Sequence, residues 1–359
     1  MKFLVITNHS YMLWQFRREL LLELQKKSEV VISMPFLGHE DDFKALGFKC
    51  IDTKLDRRGI NPFVDLKLYR FYKKLLKEEK PDKVITYSIK PNIYAGFLCR
   101  KKKIPYYVNV QGLGTAFQSQ PMASVATIMY KTALKKAKAV FFENQFNADE
   151  FVNRGIIKRE KEVVLNGAGI NLDLYKYQPY PLEDNGVHIL YIGRIMKEKG
   201  IDETFEAMRI VKEKYKDKVI FDVVGFFEDE YKETVEKLAK DNVIIFHGFQ
   251  SDPKPYYGAA HCVVLASYHE GMSNVLLEGA ATGRAVITTD IPGCREAVEE
   301  GVNGYLCKKQ DVGTLVSCME KFLDKSTAER EQMGIVGRRK MENEFDKNIV
   351  VGNTIKEIK

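Results

Sequence analysis

Glu270 and Glu278 bracket a loop and the first turns of a helix in the stretch 265–296, which reads LASYHEGMSNVLLEGAATGRAVITTDIPGCRE. Ionised carboxylates accept hydrogen bonds from hydroxyls. Between them stand Gly271, Met272, Ser273, Asn274 and Val275. Ser273 is a good N-cap, and the start of a helix offers N–H groups without intrahelical acceptors, which suit phosphate. Either glutamate alone would read as a solvated surface residue. Together, at the carboxyl end of an apolar strand 262–266, they point to a ligand with both hydroxyls and phosphates, a sugar nucleotide. A second stretch, GRIMKEKG, follows the strand 187–192. Gly193 permits a turn, and Arg194 and Lys199 flank the loop. Two cations there can neutralise the charge that develops on a leaving diphosphate.

Strand–helix alternation positions both stretches. From residue 187 on, strands are expected at 187–192, 219–224, 243–246, 262–266, 285–288 and 305–307. Helices are expected at 200–216, 229–240, 253–260, 274–282 and 311–324. Such alternation gives a parallel sheet with right-handed crossovers. The segment Gln178-Pro179-Tyr180-Pro181 reads as a linker before it. The first half also starts βαβ, with a strand 3–7, a helix from Tyr11 capped by Ser10, and a strand 30–33. It has no G-x-G-x-x-G after the first strand, which disfavours a dinucleotide enzyme. Further strands are expected at 83–86, 106–110, 139–142 and 163–165. The loop Tyr87-Ser88-Ile89-Lys90-Pro91 is expected after the first of these, with a helix from Ile93.

The stretch 265–296 resembles the E-x7-E signature of the retaining family 4 glycosyltransferases of GT-B fold. Ala266 and Ala285 stand where that family usually has Pro. The resemblance implies an α/β GT-B architecture: two Rossmann-like domains with parallel sheets facing a cleft and a C-terminal helix crossing back. It implies an acceptor domain over 1–175, joined by 344–359, and a nucleotide-sugar domain over 176–343. It implies Glu270 beside the donor sugar, Glu278 on the nucleotide ribose, and the diphosphate between Arg194 and Lys199. NGAGINLDLY resembles the family element at the domain junction. GLGTAF, after Gln111, resembles a subgroup that extends polyprenyl-diphosphate-linked sugars for capsule, O-antigen or N-glycan precursors, and the choice of UDP rests on that subgroup. Gly225-Phe226 and Gly248-Phe249 become candidates for base contacts. His9, Ser10, Tyr11, Gln111, Gly112 and Asn144 become candidates for the acceptor side. Many relatives have a His where Gln111-Gly112 stands. In this mechanism the leaving phosphate takes the acceptor proton, so a missing His need not abolish activity.

Composition bounds the alternatives. The 359 residues suit two domains of ordinary size. The six cysteines are scattered, with no zinc-finger spacing, which favours free thiols in a reducing compartment. No apolar run approaches a membrane span, and the opening MKFLVIT reads as a buried strand. Residues 1–175 hold 30 Lys+Arg against 18 Asp+Glu, a net +12, while the remainder is −5. A basic first half suits an anionic surface, and a bilayer fits better than nucleic acid, because no known nucleic-acid-binding module is present. The helix after GLGTAF carries Met122, Ile128 and Met129 beside Lys131, Lys135, Lys136 and Lys138, which suits a membrane interface. The expectation is thus a cytoplasmic enzyme, peripheral on the inner face of the plasma membrane. Its substrates would be a UDP-sugar and a lipid-linked saccharide, without a cofactor. No D-x-D flanked by strand residues is present, so no metal site is expected. A UDP-sugar 2-epimerase of the same fold is the nearest alternative, but it lacks this pairing of motifs. A basic nucleic-acid-binding protein is the alternative from another class.

Overall fold

The computed structural model of the chain describes residues 1–53, 62–114, 117 and 120–358. It divides into two compact units, 1–169 with 348–359, and 170–347. The first is built on a seven-stranded parallel sheet. Its strands are β1 (Lys2–Ile6), β2 (Glu29–Met34), β3 (Lys49–Asp52), β4 (Lys83–Tyr87), β5 (Tyr106–Val110), β6 (Ala139–Phe142) and β7 (Glu162–Val164). They lie in the order β3-β2-β1-β4-β5-β6-β7. In β1, Leu4 and Ile6 enter one core and Phe3 and Val5 the other, so helices must cover both faces. The helix Lys347–Glu357 supplies Val350, and Ile358 follows it into the second of these cores. Lys83 Nζ donates to the Ile358 carbonyl at 2.8 Å. The chain therefore ends on its first unit, beyond a π-helical turn at Met341–Phe345.

The second unit carries six parallel strands: β8 (Val187–Ile192), β9 (Val219–Val224), β10 (Ile245–Gly248), β11 (Cys262–Leu265), β12 (Ala285–Thr289) and β13 (Gly304–Cys307). Their order is β10-β9-β8-β11-β12-β13. The order reverses between β8 and β11, which are paired neighbours. Loops leaving their carboxyl ends therefore emerge side by side at the topological switch point, where open α/β sheets take ligands. The two motif stretches are those loops.

Several expectations need correction. Sequence reading passed over β3, whose residues Lys49–Asp52 are exposed or half-buried and lack strong apolar alternation. The segment after β4 is not a loop. A helix Ile89–Lys102 begins one residue after Ser88, and Pro91 fits its first turn, where the missing N–H costs nothing. His9, not Ser10, caps the first helix: Met12 N–H donates to His9 Nδ1 at 3.3 Å, and Ser10 is already helical. Glu228-Asp229-Glu230 does not open a helix, which starts at Lys232. The residues 178–181 are docked on the second unit. Gln178 N–H donates to the Thr282 carbonyl at 3.1 Å, and Arg284 donates to the Pro179 carbonyl at 3.0 Å.

Arg284 is wholly buried, and among the described residues it has no carboxylate partner. It also donates to the carbonyls of Tyr257 and Gly258, each at 2.9 Å. Burial pushes its pKa down to about 10. Its fork therefore ties one helix end and the 178–181 segment together. Arg284→Leu would leave those carbonyls unpaired in the interior. The expected loss is roughly 3 kcal/mol, read as a lower denaturant midpoint at unchanged slope. A midpoint equal to wild type would contradict the clamp.

Candidate active site

The first loop is shaped by two glycines at its ends. After β8, Gly193 N–H donates to the Val224 carbonyl at 3.0 Å, and Gly225 N–H reaches the Gly248 carbonyl at 2.9 Å. A Cβ on Gly225 would lie 1.8 Å from the Gly193 carbonyl oxygen, so only glycine allows the loops after β8 and β9 to meet. Gly200 (φ +65°) closes the loop, and a Cβ there would lie 1.9 Å from the carbonyl oxygen of Ala266. The Tyr268 N–H donates to the Glu198 carbonyl at 2.9 Å. The loops after β8 and β11 are thus bonded backbone to backbone.

This contact joins the charges. Lys199 Nζ lies 2.6 Å from Glu270 Oε1, and Ser267 Oγ donates to the same oxygen at 2.8 Å. The Ser267 carbonyl accepts from Thr289 Oγ1 at 2.6 Å. Arg194, 42% exposed at its side chain, pairs with Glu228 at 3.3 Å. Asp229 accepts from the Lys197 N–H at 2.9 Å. The acidic run read as a helix start thus faces the basic loop instead, because residues 195 and 227 bridge as parallel strands. Arg194 and Lys199 each hold a carboxylate. A diphosphate can replace those carboxylates at the same cations.

Past Glu270 the chain turns under Gly293. A Cβ there would lie 2.7 Å from the carbonyl oxygens of both Glu270 and Gly271. Gly293 accepts from the Ser273 N–H at 2.7 Å and donates to Glu296 Oε2, also at 2.7 Å. The Ser273 amide is therefore taken, contrary to its expected place among anion-binding N–H groups. Ser273 occupies the N-cap position of the helix Asn274–Thr282 but makes no side-chain capping bond. Asn274 and Val275 lie in the first turn, where amide hydrogens lack intrahelical acceptors. Met272 is buried in the core, so only its backbone faces the loop.

Glu278 is not on the surface. It is 6% exposed, and Tyr257 OH donates to its Oε2 at 2.8 Å. Tyr175 hydrogen-bonds to it as well. Burial outweighs these donors and pushes its carboxyl up to about 7. Neither tyrosine was legible from sequence. Beyond β9 and β10, Phe226 and Phe249 are exposed, Phe249 at 64%, with ring centroids 5.9 Å apart. The two rings meet edge to face.

The first unit holds the other candidates. Ser10 is buried and Asn144 is spent as a helix cap, its Oδ1 accepting from the Asn147 N–H at 2.9 Å. His9 is engaged at the start of its helix, while Tyr11 is exposed, with its ring 5.4 Å from that of His39. Gln111 lines a small cavity with Arg17, Asn109 and Glu143, and Gly112 is half-buried beside it. Arg17 pairs with Glu143 at 2.5 Å, a buried ion pair that sequence reading missed. Thr115 and Ala116 of the GLGTAF run lie outside the described residues. Among the described residues, no three His, Cys, Asp or Glu side chains cluster in a way that could hold a metal ion.

Two parallel-sheet domains, with paired motif loops at the switch point of the second, define the GT-B class of nucleotide-sugar enzymes. Residues 177–340 match the family "Glycosyl transferases group 1", and residues 3–144 match "Glycosyl transferase 4-like". The chain belongs to this glycosyltransferase family. It is 27% identical to the N,N'-diacetylbacillosaminyl-diphospho-undecaprenol alpha-1,3-N-acetylgalactosaminyltransferase of Campylobacter jejuni, over 87% of this chain and 86% of that one. It is 26% identical to the capsular polysaccharide biosynthesis glycosyltransferase CapM of Staphylococcus aureus, over 82% and 80%. Its fold is similar to that of Anabaena HepE, solved in complex with UDP. The TM-score is 0.81 at 17% identity, over 100% of this chain and 99% of that one.

Gly200→Ala tests the backbone contact. The left-handed conformation and the clash with Ala266 should cost roughly 1–3 kcal/mol of stability. Sugar transfer should fall at least tenfold, because Lys199 is carried on the displaced turn. Wild-type melting temperature and turnover would contradict the geometry.

Proposed function

We propose that this chain is a retaining, metal-independent hexosyltransferase. It moves a hexose or N-acetylhexosamine of the galactose or GalNAc type from a UDP-sugar to a lipid-linked saccharide in bacterial surface polysaccharide or glycan synthesis. The observation that carries the reading is the Lys199–Glu270 pair at the switch point, flanked by Arg194 and a helix N-terminus. The named activities of the Campylobacter and Staphylococcus relatives support the lipid-linked acceptor and the polysaccharide setting. The UDP bound by HepE supports the nucleotide.

In this reading the donor diphosphate takes Arg194, Lys199 and the amides of Asn274 and Val275, and these cations do the work of a metal. Gly193 and Gly271 let backbone approach the phosphates. Glu278 receives the ribose hydroxyls, and Phe249 beside Gly225 faces the base. Released from Lys199, Glu270 stands near the anomeric carbon as positive charge develops there. The leaving phosphate takes the acceptor proton. His9, Ser10, Tyr11, Gln111, Gly112 and Asn144 are the acceptor-side candidates. No cofactor enters the scheme.

Steady-state kinetics in EDTA with a panel of UDP- and GDP-sugars tests this. A UDP-sugar should be turned over. Glu270→Gln should lower kcat by roughly 10²–10³-fold. Glu278→Gln should mostly raise KM, because the ribose changes little during reaction. Loss of turnover in EDTA with rescue by manganese would overturn the metal-independent scheme. Wild-type kinetics in both variants would overturn the site.

The same reading places the protein on the inner face of the plasma membrane, in the cytoplasm. Among the described residues, no helix is long and apolar enough to cross a membrane. The helices Pro62–Glu79 and Gln120–Leu134 both pack on Ile89–Lys102. On Gln120–Leu134, Met122, Val125 and Ile128 recur every third residue and are exposed, Val125 at 58% and Ile128 at 66%. Lys67, Arg70, Lys73, Lys74, Lys131, Lys135 and Lys136 are exposed on the same group of helices and the turn after them. Apolar side chains beside lysines match an anionic bilayer surface. Vesicles containing anionic lipid should bind the protein, less so as salt rises, and Val125→Asp with Ile128→Asp should weaken binding at least tenfold. Equal binding to neutral and anionic vesicles would contradict it.

A further inference from the structure

Glu278 is the one carboxylate of the site that the fold buries, and burying a charge is costly unless it is well bonded. Its Oε2 accepts from Tyr257 OH at 2.8 Å, and Tyr175 bonds to the same carboxylate. The two rings meet edge to face, with centroids 6.0 Å apart at 79°. Each tyrosine is fixed through its own main chain by an arginine. Arg284 Nε donates to the Tyr257 carbonyl at 2.9 Å, and Arg338 donates to the Tyr175 carbonyl at 2.8 Å. A carboxylate offers about four lone-pair directions. Two phenols leave the others for a further pair of hydroxyl donors, the demand that a vicinal diol meets.

We propose that Tyr257 is a positioning residue for nucleotide binding, whose hydroxyl holds Glu278 so that its remaining lone pairs face the ribose diol of the donor. This rests on the UDP-sugar reading above. Tyr257 touches no reacting atom; it acts through Glu278. The charged groups facing Glu278 are Lys254 and Lys347, both of which favour the carboxylate. Arg338 is engaged with Glu342 at 2.7 Å, Arg295 with Asp290 at 2.8 Å, and Glu296 with the Gly293 N–H at 2.7 Å. Burial raises the Glu278 carboxyl to about 7.

The sign follows from the ionised form being the better acceptor. UDP-sugar affinity should rise with pH through about 7, the value burial gives Glu278. A UDP-sugar is the probe because its diphosphate diester does not titrate there. Tyr257→Phe removes a donor to the carboxylate, so the midpoint should move to higher pH. Affinity should fall roughly tenfold at pH 7 and much less at pH 9. Glu278→Gln should flatten the profile, and the 2′,3′-dideoxy analogue of the same UDP-sugar should bind weakly with no such midpoint.

A second measurement needs no ligand. A folded-state pKa above the unfolded one stabilises below the unfolded value and loses that contribution as pH rises through the folded value. The melting temperature of wild type relative to Glu278→Gln should therefore fall as pH rises towards 8. Tyr257→Phe should deepen the fall. Wild-type binding with an unmoved midpoint in Tyr257→Phe, or a loss equal at every pH, would overturn this inference and leave the proposed function standing. Failure of the wild type to bind any UDP-sugar at any pH would overturn both.

Discussion

Two backbone contacts that only glycine permits hold the second unit's loops together. Gly225 lies against the carbonyl of Gly193, and Gly200 against that of Ala266. With side chains excluded there, the loops after β8, β9 and β11 close on one another at the reversal of strand order. Everything chemical in the site depends on this. Lys199 follows Glu198, whose carbonyl is bonded to Tyr268, and so meets Glu270 from across the switch point. Gly293 repeats the device from the other side by lying under the Glu270 and Gly271 carbonyls. The glycines set the geometry, and the charged side chains then have little freedom to choose partners.

Each cation of the site has a carboxylate partner. Arg194 has Glu228 and Lys199 has Glu270. Both pairs are at least partly open to solvent, so exchanging a carboxylate for a diphosphate costs little compared with opening a deeply buried pair. In the proposed reaction the exchange would also free Glu270 beside the sugar. Glu278 follows different physics. It is buried, bonded to phenols and pushed up to about 7. Two glutamates in one signature thus have unlike surroundings.

Much of this could be read from the chain. In the second unit, apolar strands separated by helical stretches gave β8 and β9 to the residue and the others within two residues. Glu270, Glu278, Arg194 and Lys199 stood out because their types and spacing matched phosphate and hydroxyl chemistry. Hidden features depended on tertiary contact. Tyr257 sits in a six-residue helix and carries no local signal of the carboxylate it meets. Glu228 looked like a helix start because acidic residues favour that position, yet a parallel bridge turned it to Arg194. Burial of Ser10 is likewise a tertiary feature with no local signal in the chain, whereas the capping bond of Asn144 is local. The first unit was less legible, since its loops carry no signature whose chemistry is specific.

The most direct test is a crystal structure of the protein with an intact UDP-sugar bound. The diphosphate should lie between Arg194 and Lys199, with the ribose on Glu278 and Lys199 drawn away from Glu270. A nucleotide bound elsewhere, with the Lys199–Glu270 pair still closed at 2.6 Å, would contradict the account.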